Sequence, residues 1–246
     1  GSIERPMIFD NNDRPGIFLS SAIKRYSDFF GVACGEKNIL LTNNDSAYET
    51  AISLIQKGIN IEAIIDNREE VDSKLTYEVE KNNIKIYKGH TVTNTSGYKR
   101  INKVTIMQLS KDGQKVVGSK INLSCDCLGV SGGWTPAVHL FTQSGGKLKF
   151  RDEDQVFIPY SYPSEQLSIG SCNGDFTLDE ILTNVPKSLK EFLKIKNTEY
   201  DNLEVLSATN KLKRNIWLLP SDKILGKTKS FVDYQNDATA KDIKLA

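Results

Sequence analysis

Apolar residues recur every three or four positions from Ile17 to Phe30, at Phe18, Ala22, Ile23, Tyr26, Phe29 and Phe30. This spacing predicts a helix with one apolar face, its start marked by Pro15 and Gly16. The run Asn38-Ile39-Leu40-Leu41-Thr42 is too brief for a helix and ends in polar Asn43-Asn44-Asp45, so it reads as a buried strand and a turn. Asp45 or Ser46 is placed to cap a helix from Ala47 to Lys57, which carries Ala47, Tyr48, Ala51, Ile52 and Ile55 on one side and stops at Gly58. A second strand, Ile61 to Asp66, completes a βαβ unit, the crossover that builds a parallel sheet. A helix near Ser73 to Lys81 and a strand at Ile84 to Tyr87 extend it.

The texture changes after Gly89. From His90 to Leu123, Thr, Val, Ile and Tyr alternate with polar residues and break at Ser96-Gly97 and Lys111-Asp112-Gly113, which predicts a small antiparallel meander. Ser124 to Val130 reads as a buried strand entering Ser131-Gly132-Gly133-Trp134-Thr135-Pro136, with Pro136 suited to the first turn of a helix over Ala137 to Phe141. Leu167-Ser168-Ile169 is expected to be a strand running into the glycine-bearing turn Gly170 to Asp175. Two short helices are expected beyond it, Thr177 to Leu182 and Lys187 to Lys194. From Asn197 onward no period is sustained, which reads as a connecting segment.

Composition narrows the class. With 39% hydrophobic and 26% charged residues in 246, the chain suits an ordinary globular protein with a sizeable core. Its 32 basic and 31 acidic residues leave no basic excess for phosphate backbones or anionic lipid, so neither nucleic acid nor membrane is an expected partner. No run approaches the roughly 20 apolar residues of a membrane span, and residues 1–14 have no apolar signal core, which makes the cytoplasm the default location. The four cysteines, Cys34, Cys125, Cys127 and Cys172, are too few for a secreted disulfide scaffold. Cys125-Asp126-Cys127 reads as a core strand with both thiols on one face, since a C-x-C with no second pair completes no tetrahedral metal site.

A nucleotide would be sought at the turn of the βαβ unit, where glycines let the backbone approach a pyrophosphate at a helix N-terminus. Here the turn reads Thr42-Asn43-Asn44-Asp45-Ser46-Ala47, with no G-x-G-x-x-G and with Asp45 placing negative charge where a phosphate would sit. Asp66, roughly 20 residues on, has the position of the acidic residue that binds a ribose hydroxyl. Without the glycines, the unit reads as a degenerate, structural nucleotide domain. The turn Gly170 to Asp175 offers backbone donors to an anion or is a plain strand-to-helix connection. His90 and His139 lie far apart with no metal or catalytic partner motif, and Ser131-Gly132-Gly133 does not have the spacing of a hydrolase nucleophile.

Several stretches together resemble the α subunit of heterotetrameric sarcosine oxidase. They are Gly1-Ser2-Ile3-Glu4-Arg5-Pro6, Asn11-Asn12-Asp13-Arg14-Pro15-Gly16, Thr42 to Tyr48, Gly132-Gly133-Trp134-Thr135-Pro136, Leu140 to Leu148, and Phe231-Val232-Asp233-Tyr234-Gln235-Asn236-Asp237. The resemblance implies an α/β two-dinucleotide-binding (thioredoxin reductase-like) fold, incomplete, with a Rossmann-like βαβ unit and a small antiparallel meander. It implies residues 1–35 as the end of a first dinucleotide-binding domain with its crossover helix, and 36–123 as a second, degenerate one. Residues 124–196 would return to the first domain, and 197–246 would be a linker towards a folate-binding domain. The chain does not open on Met; Gly1-Ser2 is an expression scar or, as the resemblance implies, native sequence inside a longer frame.

The same resemblance implies NAD in this subunit. It places FAD, FMN and tetrahydrofolate elsewhere in a complex with β, γ and δ subunits that oxidises sarcosine to glycine and peroxide, its one-carbon unit captured by the folate. No catalytic residue is expected in this chain, and it is not expected to be active alone. Gly1 and Ser2, from the segment lying against the cofactor, and Gly170, Ser171, Asn173 and Gly174, from the closing turn, are the expected dinucleotide contacts. The competing expectations are a related amine or opine dehydrogenase α chain and a non-catalytic interaction module. A parallel sheet without its founding strands is also expected to be only marginally stable in isolation.

Overall fold

The structure is a computed structural model that describes residues 1–71, 73–163, 165–195, 216–222 and 228–246. In chain order the first elements are β1 (Ser2–Glu4), β2 (Ile17–Leu19), α1 (Ser20–Phe30), β3 (Asn38–Thr42), α2 (Ser46–Gln56), β4 (Ile61–Asp66), α3 (Ser73–Glu80) and β5 (Lys85–Lys88). Three longer strands follow, β6 (His90–Gly97), β7 (Ile101–Leu109) and β8 (Val116–Ser124), then β9 (Cys127–Ser131). Next come β10 (Trp134–Pro136), α4 (His139–Gln143), β11 (Lys147–Arg151), β12 (Val156–Ser161), a 3₁₀ turn at Gly170–Asn173 and α5 (Leu178–Leu193). The described part ends with β13 (Phe231–Asp233), β14 (Ala238–Thr239) and α6 (Ala240–Leu245).

These elements form two compact units. Unit 1 is Gly1–Glu4 with the described part of Trp134–Leu212, and unit 2 is Arg5–Gly133 with the described part of Lys213–Ala246.

Unit 2 is built on a five-stranded sheet of order β2-β9-β3-β4-β5, parallel at every pairing. Strand alternation divides its side chains between two cores. Ile39, Leu41, Ile65, Leu128 and Val130 pack with Val92, Val104 and Ile106 from the antiparallel sheet β6-β7-β8. Leu40, Ile64 and Cys127 pack on the other side with Ile23 of α1, Tyr48, Ala51 and Leu54 of α2, and Val79 of α3. Both faces of the central strands are therefore buried, which is why they read as continuous apolar runs. Gly129 of β9 sits where α1 comes close: a Cβ there would lie 2.5 Å from Leu40 Cδ2 and 2.8 Å from Ile23 Cδ1.

Unit 1 pairs β1 with β10 (Ser2 opposite Pro136) and β11 with β12, both antiparallel. Val156 and Ile158 of β12 point inward, whereas Phe150 and Phe157 stack edge to face on the exposed side at 5.1 Å. Phe141 of α4 is buried against Tyr162. α5 starts at a capping box in which Thr177 accepts from the Glu180 amide and Glu180 accepts from the Thr177 amide.

The expected parallel sheet, its helices and the meander are all present. Five local expectations are corrected. Ile17–Leu19 is extended, not helical, because it pairs in parallel with Leu128–Val130. Pro136 belongs to a strand, and the helix behind it starts at His139. No strand is formed at 167–169, and the two helices expected after Gly174 are one, running through Pro186. Cys125 and Cys127 both avoid water, yet they face different cores. The parity slips at Asp126, whose carboxylate turns back to accept from the amides of Lys37 and Glu36, so β9 begins only at Cys127.

The connecting segment expected from residue 197 onward lies outside the described residues as far as 215 and again over 223–227. Its described remainder adds the β13-β14 hairpin to unit 2, where Asn12 both donates to and accepts from the backbone of Phe231.

Candidate functional site

Each unit holds one place where a dinucleotide would be sought. In unit 2 it is the carboxyl end of β3 and β4, where the turn into α2 meets the turn after β4. Asn44 and Asp45 fill this turn from within. Asn44 Nδ2 donates to the carbonyl and hydroxyl oxygens of Ser131, at the end of β9, at 3.0 and 3.1 Å. Asn44 Oδ1 accepts from the Ser46 amide at 3.0 Å and from the Ser46 hydroxyl at 2.5 Å. The first free N–H of α2 is thereby capped by a side chain of the turn itself.

Asp45 carries the charge. Its carboxylate lies 2.7 Å from Arg68 Nη1, and the same guanidinium reaches Asp66 through Nε at 3.1 Å and Nη2 at 2.9 Å. The Arg68 amide and the Tyr48 hydroxyl also donate to Asp66. All four side chains are buried, none exceeding 5% exposure. Burial raises the Asp66 carboxyl above its ordinary range against the pull of Arg68, and burial together with Asp66 raises the Tyr48 hydroxyl. Burial works against the charge of Arg68, but its bonds to Asp66 and Asp45 outweigh that and keep it protonated. Asn67, between Asp66 and Arg68 in sequence, is fully buried with its side-chain oxygen unpartnered among the described residues.

In unit 1 the β1–β10 pair brings Gly1 and Ser2 into the same unit as the Gly170–Asn173 turn, and β10 runs next to that turn. Gly170 has φ +72° and Gly174 φ +90°, the left-handed region that favours glycine, so the turn has a glycine at each end for a conformational reason. A Cβ on Gly170 would meet nothing within 4 Å, which leaves that side of the turn open. Gly174 is held from the other side, its carbonyl accepting from Arg151, whose guanidinium is fixed by Asp154. Ser171 and Asn173 are half-buried.

His90 bonds the Lys88 carbonyl and packs on Tyr87, and His139 is exposed at the start of α4. Among the described residues no three metal-ligating side chains cluster. No helix among them is long and apolar enough to cross a membrane.

No family model matches the chain. Sarcosine oxidase α subunits of Corynebacterium strains P-1 and U-96 are each 30% identical to it, over 99% and 98% of its length, and that of Rhizobium meliloti is 26% identical over all of it. This whole chain is homologous to sarcosine oxidase α subunits. It spans about a quarter of their length, 25%, 25% and 24% respectively. Among solved structures, thioredoxin reductase of T. acidophilum superposes with a TM-score of 0.55 at 16% identity, over 78% of this chain and 62% of that one. A 2-naphthoyl-CoA reductase superposes with a TM-score of 0.56 at 16% identity, over 80% and 26%. The fold is thus the thioredoxin reductase-like α/β type.

Arg68 is the residue that sequence reasoning missed. Its signal was its place two residues beyond Asp66 at the end of a strand, but that it faces Asp45 follows only once β3 and β4 are known to be neighbours.

Proposed function

We propose that this chain is the dinucleotide-binding part of a sarcosine oxidase α-type subunit, with NAD held by unit 1 and unit 2 serving as a structural domain. The observation that carries this reading is the contrast between the two turns. The turn into α2 is filled by its own side chains, whereas the one flanked by Gly170 and Gly174 is open on one side, with glycines where a backbone must approach a ligand closely. These features fit a pyrophosphate. Gly170, Ser171, Asn173 and Gly174 would hold it, with Gly1 and Ser2 of β1 alongside. NAD, when bound, supplies a hydride-accepting nicotinamide; the residues of this chain bind and orient it, and none of them is assigned a proton.

In the whole assembly the reaction is oxidative demethylation of sarcosine to glycine, with hydrogen peroxide and methylene-tetrahydrofolate formed. FAD and FMN belong to a partner β subunit, γ and δ subunits complete the complex, and it works in the cytoplasm. Homology along the entire chain supports this assignment. The test is calorimetric titration of the chain with NAD. Saturable binding is expected. It should weaken about tenfold in Asn173→Ala, a loss of roughly 1.4 kcal/mol, and more in Gly170→Val, which puts a branched side chain at positive φ. Binding that is absent, or unchanged in both variants, would remove NAD from unit 1.

A further inference from the structure

A cleft of about 630 Å³ opens in unit 2, within the size range of small-molecule sites, and shares no residue with the turn into α2. Its walls come from residues 8–10, the β7–β8 turn at 112–114, residues 216–221 and Ser230. Backbone bonds hold these segments together. The Ile8 amide donates to the Trp217 carbonyl at 2.7 Å, the Leu219 amide to the Ile8 carbonyl at 2.8 Å, and the Asn11 amide to the Lys229 carbonyl at 2.7 Å. Asp10 thus lies between two anchored residues, and so does Ser230, since the Phe231 amide donates to Asn12 at 2.8 Å.

Asp10 lines this cleft and is only 5% exposed. Each of its carboxylate oxygens accepts from one hydroxyl, that of Ser230 at 3.4 Å and that of Ser221 at 3.3 Å. Both distances exceed the roughly 2.5–3.0 Å of a full hydroxyl bond. Among the described residues no cation pairs with Asp10, and no lysine, arginine or histidine lines the cleft. Lys229, beside Ser230 in sequence, lies over the Phe231 ring instead, and Lys120 pairs with Asp222. A buried carboxylate is ordinarily stabilised by a cation or by several strong hydrogen bonds, and Asp10 has neither. It retains acceptor capacity beside walls that are largely apolar, with Phe9 and Leu219 buried behind them. Asp112, exposed on the β7–β8 turn, adds a second negative charge to the lining. A metal ion would need more donors than this, and among the described residues no three ligating side chains cluster.

We infer that this cleft binds an aliphatic ammonium ion, its N–H groups donating to the Asp10 carboxylate and its carbon chain lying against Phe9, Leu219 and Pro220. An amino acid is disfavoured there, because its own carboxylate would find no cation in the lining and would meet the charge of Asp112. The inference concerns unit 2 alone and stands whether or not unit 1 binds NAD.

The experiment is hydrogen exchange by mass spectrometry on the full chain, alongside calorimetry, with butylammonium chloride compared against sodium chloride and sodium butyrate at equal ionic strength. Peptides containing Ile8 to Asp10 and Ile216 to Ser221 are expected to gain protection with butylammonium and with neither sodium salt. The zwitterion 4-aminobutyrate should bind about tenfold more weakly than butylammonium, and Asp10→Asn, which keeps the shape of the side chain and removes its charge, should lose about tenfold or more of the butylammonium affinity. Protection that is absent, that falls elsewhere in the chain, or that sodium chloride reproduces overturns the inference. Undiminished binding in an Asp10→Asn variant that melts cooperatively does so as well. Should that variant not melt cooperatively, the wild-type contrast decides, and equal affinity for butylammonium and 4-aminobutyrate overturns the inference. None of these outcomes touches the titration with NAD, which reads unit 1.

Discussion

At the scale of single residues, Arg68 is where the largest energetic consequence is concentrated. It neutralises one of two buried carboxylates and bonds both, so its removal leaves Asp45 and Asp66 facing each other without a cation. Breaking a buried pair by deleting one partner typically costs about 3–5 kcal/mol, and Arg68→Met is expected to fall in that range at pH 7.5. The sign of its pH dependence follows from Asp66, whose folded pKa burial already raises above the ordinary value of 3.8. A carboxyl raised on folding binds more protons in the native state, so its contribution is most favourable below the unfolded pKa and is lost as pH climbs through the folded one. Without Arg68 that upward push is unopposed, and Arg68→Met should recover part of its deficit in urea melts at pH 5. A deficit that stays constant between the two pH values would mean that the carboxylates are relaxed by water and not by protonation.

At the scale of elements, β9 is the tightest constraint, since it pairs with β2 on one side and β3 on the other while α1 lies across it. Gly129 is the point of closest approach, and both atoms its Cβ would strike belong to side chains no more than 1% exposed. They cannot swing into solvent. Gly129→Ala is therefore expected to cost about 1–3 kcal/mol by overpacking, lowering the urea midpoint with an unchanged slope. The parallel core was readable from sequence because its signals are local: the apolar run of β3, the amphipathic spacing of α2 and the stop at Gly58 all lie within one stretch of chain, although the side chain that caps α2 is Asn44 and not the expected Asp45 or Ser46. β1, β2 and β10 were not, because a three-residue strand has no period, and only a partner far along the chain, such as Pro136 for Ser2, makes it one. α5 reads in the sequence as two short helices, Thr177 to Leu182 and Lys187 to Lys194, but is one helix running through Pro186. Its capping box and its apolar stripe, Leu178, Ile181, Leu182, Val185, Leu189 and Phe192, continue through that position. Of the candidate site, the glycine turn was visible in the sequence, but the way unit 2 closes itself was not, because Asn44, Asp45, Arg68 and Ser131 come from three strand ends.

For the whole molecule, the uneven distribution of exposed apolar surface matters more than any single contact. α5 buries no residue among the described ones, with Leu178 62% and Leu193 57% exposed, and Leu182 and Phe192 lie on the same amphipathic helix. A formal net charge of +1 gives copies of the chain little reason to repel one another at neutral pH. A contiguous apolar face on a nearly neutral protein favours association. We expect reversible self-association in sedimentation velocity at rising concentration. Ammonium sulfate should strengthen it, since salt reinforces apolar contacts and screens charged ones. The double variant Leu182→Lys, Leu193→Lys places two charges on the stripe without touching a buried side chain, and it should stay monomeric with unchanged NAD binding. Association that weakened with added salt would instead trace to charge pairing. A wild type that stayed monomeric throughout would mean that the stripe is covered within the chain in solution.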